Sequence, residues 1–113
     1  MLDGKPAYIG RLGQSLSDEE GAQAAELAAL GLLGQLSAAI GDDLSRVVRI
    51  LRLGVFIASS GDFTRQSVVA NGASNLVVNA LGDKGRHVRT AVGVSSLPAG
   101  VAVEVDAIFE LLS

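Results

Sequence analysis

Apolar and polar positions along the chain follow two different rhythms. Between Ser17 and Gly41, the residues Ala25, Ala28, Leu32, Leu36 and Ala39 recur at helical spacing, and Ala29, Leu33 and Ile40 widen the stripe. Ser17-Asp18-Glu19-Glu20 opens this stretch. Ser17 can cap, Glu20 stands at the capping-box position, and acidic residues suit the positive end of a helix. Gly41 supplies a stop. The spacing therefore predicts a helix over 17–40 whose small residues let it lie close against a sheet. Residues 46–58 are dense in Val, Ile and Leu and carry no helix caps, which predicts a long strand. Both faces of that strand are mainly apolar, as expected when helices cover one side and the other is also buried. Strict alternation would put Arg49 and Arg52 on opposite faces, near strand ends or in an interface.

The rest of the chain is more broken. Gly4, Gly10 and Gly13 interrupt residues 1–16, which read as a loop with one short edge strand. Residues 59–62 form a loop in which Asp62 or Thr64 starts a short turn, and Phe63 is an anchor against the sheet. Asn71-Gly72-Ala73-Ser74 leads into a second helix over about 73–81, closed by Gly82. Two β-rich runs, 88–94 and 101–109, then flank Leu97-Pro98-Ala99-Gly100 and predict an antiparallel hairpin. With Ser96 opposite Val101, Arg89, Ala91 and Gly93 would share a face with Glu104, Asp106 and Ile108. Loop, helix, strand, helix, hairpin is an α+β order, with helices on one face of a sheet, in a single domain over 1–113.

Composition changes this picture by exclusion. The chain has 113 residues, 49% of them apolar and 19% charged, a globular balance. Gly31, Gly34 and Gly41 break its most apolar region below the length of a membrane span, and Met1-Leu2-Asp3-Gly4-Lys5 has no signal-peptide pattern. With no cysteine there is no disulfide framework, thiolate nucleophile or zinc-thiolate site, so a cytoplasmic, soluble protein is expected. A net charge of −3, three Phe and one Tyr weigh against a basic or base-stacking nucleic-acid surface.

Candidate chemistry is sparse. His87 is the only histidine, and Ser74 and Ser95 lack a nucleophile-elbow context. Carboxylates are scattered without metal-ligand spacing. Gly10-Arg11-Leu12-Gly13 and Asn71-Gly72-Ala73-Ser74 do not follow strands at phosphate-binding spacing. Arg89 has two readings: a diagonal ion pair with Asp106, or a guanidinium fork for a carboxylate beside a hollow left by Ala91 and Gly93. Glu104 is a solvated charge, a base for water in a pocket, or a partner for another subunit.

The run from Arg89 to Asp106, Arg-Thr-Ala-Val-Gly-Val-Ser-Ser-Leu-Pro-Ala-Gly-Val-Ala-Val-Glu-Val-Asp, resembles the C-terminal signature of the RidA/YjgF family of reactive-intermediate deaminases, also labelled endoribonuclease L-PSP. That signature has an Arg, alternating small and Val positions, Leu-Pro, four variable residues and Val-Glu. The upstream order agrees, so the resemblance covers about residues 10–111. Asn71-Gly72-Ala73-Ser74 with His87-Val88-Arg89 is similar to a less characterised branch. The resemblance implies a chorismate-mutase-like fold, with a mixed sheet packed by two helices, in a homotrimer whose sheets form a barrel and whose clefts lie between subunits. It implies cofactor-free hydrolysis of enamines or imines, such as 2-aminoacrylate, to a 2-keto acid and ammonia. Arg89 would bind the substrate carboxylate, the Ala91 backbone would offer hydrogen bonds, Glu104 would position or activate water, and Asn71 would line the cleft. Family members also carry an N-terminal strand hairpin with a Tyr and a Ser-Gly-Gln-like segment; this sequence starts after that point, and no motif aligns Tyr8 with that Tyr. The alternative is a trimeric protein that binds or senses small carboxylates without turnover. A ribonuclease has the least physical support, and neither a nucleic-acid nor a membrane partner is expected.

Overall fold

The computed structural model describes residues 8–112. Residues 1–7, the first part of the expected loop, lie outside the described residues. Helix α1 runs over Asp18–Ala39 and begins as its sequence dictates. The Ser17 hydroxyl accepts from the Glu20 amide at 3.1 Å, and the Ser17 amide donates to the Glu20 carboxylate at 3.0 Å. The capping box thus satisfies two of the amides a helix start leaves free. The helix buries Gly21, Ala24, Ala25 and Ala29, so its inward stripe is rotated slightly from the expected one and Ala39 is exposed. Gly34 sits in the exposed part of this helix with nothing within 4 Å of where a Cβ would stand. Gly34→Ala is expected to stabilise the protein by about 1 kcal/mol, because only the backbone-entropy penalty changes; thermal unfolding would check it.

Strand β1, Val47–Ala58, is the centre of a three-stranded sheet ordered β2-β1-β3, where β2 is Val88–Val94 and β3 is Val103–Leu111. The expected hairpin does not form. β2 lies parallel to β1, with Arg52 opposite Val88 and Ala58 opposite Val94, whereas β3 lies antiparallel on the other side, with Ile57 opposite Val103. The Leu97-Pro98-Ala99-Gly100 stretch reverses the chain while carrying it across the end of β1, so β3 lies beyond β1 and not beside β2. There the Ser59 amide donates to Val94 and the Ala58 amide to Ala102. A parallel pair needs a long crossover, and helix α2, Gln66–Leu81, provides it.

This helix starts earlier than expected. Val69, Ala70, Ala73 and Val77 are buried, and α2 packs against α1 so closely that a Cβ at Gly72 would collide with the Ala22 carbonyl. Asn71-Gly72-Ala73-Ser74 is therefore helix interior. The helix stops at Gly82, which has φ 65°. Arg65, just before it, pairs with Asp18 in the first turn of α1 and lies over the Phe63 ring, 4.9 Å from its centroid. Phe63 is buried, as the sequence suggests.

Both helices cover one sheet face. Leu53, Val55 and Ile57 of β1 form the fully buried centre, and the register puts Arg89, Ala91 and Gly93 of β2 on that same face with Val103, Val105 and Ala107 of β3. The opposite face carries Arg52, Gly54, Phe56, Val88, Thr90, Val92, Glu104, Asp106 and Ile108. Within one chain this second face is open, and Val88 and Ile108 are 73% and 55% exposed. Register shifts at Val47/Arg49 and Ile50/Arg52 reset the alternation. As a result Arg49 and Arg52 share the open face, against expectation, where they pair with Glu110 and Asp106, each at 3.3 Å.

Candidate functional site

Arg89 projects from the second residue of β2 onto α2. Its Nη1 donates to Asn71 Oδ1 at 2.8 Å and to Ser74 Oγ at 3.2 Å, and its Nη2 donates to the Ser67 carbonyl at 3.4 Å. Ser67, Asn71 and Ser74 are spaced four and three apart, so one helix face supplies all three acceptors. All three are neutral. Among the described residues Arg89 pairs with no carboxylate. Its charge is therefore oriented but uncompensated, which is an arrangement suited to a bound anion.

The hydrogen bonds continue past Arg89. Ser74 Oγ lies 3.0 Å from His87 Nε2, and His87 Nδ1 is bonded to the Gly85 carbonyl. A carbonyl only accepts, so Nδ1 carries the proton, and in the neutral ring Nε2 accepts from the Ser74 hydroxyl. Gly85 is buried so tightly on α2 that a Cβ would clash with the backbone of Val77 and Val78. That contact fixes the carbonyl that orients His87.

The expected site residues are thus only partly assembled. Arg89 and Asn71 meet directly. Ala91 follows on the same face, half-buried and packed on the core. Gly93 beyond it lines a polar concavity away from Arg89, with the Ser59 hydroxyl and the Gln66 amide close to where its Cβ would stand. Glu104 is on the opposite sheet face from Arg89, with β1 between them. The Arg89–Asp106 ion pair is absent for the same reason, Asp106 being taken by Arg52. Ser74 with His87 was not legible as a pair: thirteen positions separate them, and only a helix begun at Gln66 brings Ser67, Asn71 and Ser74 into line.

Two concavities lie elsewhere. A groove of about 440 Å³ between α1 and β3 is lined by Tyr8, Leu27, Gly31, Leu32, Val103 and Glu104 among others. A more polar one, about 430 Å³, includes Arg11, Ser59, Ser60, Gln66 and Ser95. Beside it, the Asp62 carboxyl is held below its usual range by the Ser60 hydroxyl at 2.7 Å. Neither concavity includes Arg89, which is half-buried against α2.

Comparison with known proteins agrees with this architecture. The family model described as "YjgF/chorismate mutase-like, putative endoribonuclease" matches residues 1–111. The chain, two helices on a mixed three-stranded sheet, belongs to the YjgF family. It is 54% identical over 103 residues to protein TCP17 of Trypanosoma cruzi, covering 90% of this chain but 64% of that protein, less than two thirds of its length. The structure of Atu1372 from Agrobacterium tumefaciens, a protein of unknown function, superposes with a TM-score of 0.96 at 45% identity over 98% of this chain and 70% of its own. A "putative endoribonuclease" from Shewanella oneidensis gives 0.94 at 32% identity, over 98% of this chain and 73% of its own. No helix among the described residues is long and apolar enough to cross a membrane.

Proposed function

We propose that the protein hydrolyses reactive enamines or imines bearing a carboxylate to a 2-keto acid and ammonia, without a cofactor, at clefts between the subunits of a homotrimer. The observation that carries this reading is the uncompensated guanidinium of Arg89, held by neutral oxygens of Asn71, Ser74 and Ser67. It fits a small substrate carboxylate better than a structural ion pair would. Membership of the YjgF family supports the reaction class. The separation of Arg89 from Glu104 by the sheet suits a site to which a neighbouring subunit contributes Glu104 as the group that positions water. The test is 2-keto acid release from imines generated in situ by an amino-acid oxidase. Acceleration over the spontaneous reaction is expected; none with any substrate, from folded protein, would leave a carboxylate-binding protein without turnover.

The trimer has its own test. An exposed substitution on a monomer changes stability by less than about 0.5 kcal/mol, so Ile108→Lys on the open sheet face matters only if another subunit covers it. It is expected to shift the protein to monomer in analytical ultracentrifugation. An unchanged trimer would place the subunit contacts elsewhere.

A further inference from the structure

We propose that Ser74 and His87 form the proton-transfer pair of the Arg89 site, with Ser74 meeting the ligand and His87 acting through it. This rests on the reading of Arg89 as a carboxylate clamp and assigns the acid–base work to groups on the same sheet face. Three observations lead here. Ser74 Oγ is within hydrogen-bond reach of both Arg89 Nη1, at 3.2 Å, and His87 Nε2, at 3.0 Å. The Gly85 carbonyl fixes the imidazole so that Nε2 is free to take a proton. Glu104 lies across the sheet, and among the described residues no carboxylate pairs with Arg89. A hydroxyl joined to a base that a third group orients is the arrangement that moves protons at an active site. Among the described residues, Nε and one N–H of Nη2 remain free on Arg89 for a ligand carboxylate, while Nη1 holds the Ser74 hydroxyl at the same guanidinium.

The chemistry balances without any other reactant. Water adds to the imine carbon, and the C=N π pair moves to nitrogen. As the C–O bond forms, the water proton passes to Ser74 Oγ while the Ser74 proton moves to His87 Nε2. The imidazolium returns a proton through Ser74 to nitrogen and gives the neutral carbinolamine. A second pass moves the carbinol O–H proton to nitrogen, the C–N bond breaks with its electron pair on ammonia, and the ketone remains.

Protonation of His87 would block the first step, since Nε2 could no longer accept. The charged groups on the elements around His87 are Arg89 on β2 and Asp83, Lys84 and Arg86 in the preceding turn, where Arg86 pairs with Asp83. Helix α2 has no charged side chain, and Arg49 and Arg52 of β1 are engaged by Glu110 and Asp106 on the open face. Activity should therefore have an acid limb that depends on His87.

The experiment compares wild type, Ser74→Ala and His87→Gln in keto acid release across pH, with folding checked by circular dichroism. Both variants are expected to lose roughly 100-fold in kcat, the lower end for general acid–base catalysis, with KM little changed, and His87→Gln should also lose the acid limb. Folded variants as fast as wild type, with the same pH profile, would reduce the pair to a tie between β2 and α2 and leave the deaminase reading intact. If wild type turns over no imine, the deaminase reading fails, and nitrogen NMR of the single imidazole with added pyruvate decides the pair. An Nε2 shift that Arg89→Ala abolishes supports a ligand-facing relay; no shift overturns it.

Discussion

Arg89→Ala is expected to remove carboxylate-dependent turnover while leaving the fold in place. The guanidinium donates to three neutral oxygens on one face of α2, and no buried carboxylate is orphaned when it goes. Truncating one side of a hydrogen-bonded charge pair costs a complex about 2–5 kcal/mol. At about 1.4 kcal/mol per tenfold, the lower part of that range is already a loss of roughly 30-fold in kcat/KM. Arg89→Lys should recover only part of it, because an ammonium cannot match the fork that reaches Asn71, Ser74 and a carboxylate together. Keto acid release measured for wild type, Arg89→Ala and Arg89→Lys checks the order. Equal rates from all three would show that Arg89 is a strand-to-helix tie and no clamp.

Gly72→Ala carries the second large effect, on stability. Two terms oppose each other. An alanine in a helix interior is favoured over glycine by about 1 kcal/mol. Against that, its Cβ would run into the backbone carbonyl of Ala22, which cannot rotate away as a side chain could. Overpacking of this kind costs about 1–3 kcal/mol and occasionally more. The steric term wins because relief requires the whole of α2 to move from α1. A net destabilisation of up to about 2 kcal/mol is expected in denaturant unfolding, opposite in sign to the change at Gly34. Ser67, Asn71 and Ser74 ride on the same helix, so activity should fall with it. An unchanged midpoint would mean the helices separate freely at this crossing.

The contrast between these glycines shows where the sequence is informative. Helix α1 was legible because its start is written in local chemistry: Ser17 and Glu20 satisfy each other's amides wherever the helix packs. β1 was legible from its run of Val, Ile and Leu. The first two turns of α2 were not, since Val68 and Val69 favour strands, Asn71-Gly72 resembles a turn, and no side chain caps the start. Contact with α1 at Gly72 and burial of Val69 and Ala73 decide the matter, and neither shows in local propensity. The strands β2 and β3 were likewise visible as strands, but alternation does not name a partner, and a reversal at Pro-Ala-Gly can also cross a strand. That single error moved Glu104 and Asp106 to the wrong face relative to Arg89. Family resemblance named Arg89 and Asn71 as separate site residues, and the fold joins them by a hydrogen bond. Ser74 and His87 stand in the same two segments but received no joint role, and only the crossover unites them.

The strand order also governs how the protein folds. Its two outer strands follow one another in the chain yet never pair, so no local hairpin can act as a starting point for the sheet. Every ladder joins segments separated by a helix or more, and such long-range closure makes folding slower than that of a helical bundle of similar size. During synthesis β1 emerges with both edges unpaired and waits for β3 to complete the sheet. Until then its apolar faces and free backbone groups are open to other chains, which makes this central strand the segment most in need of a chaperone.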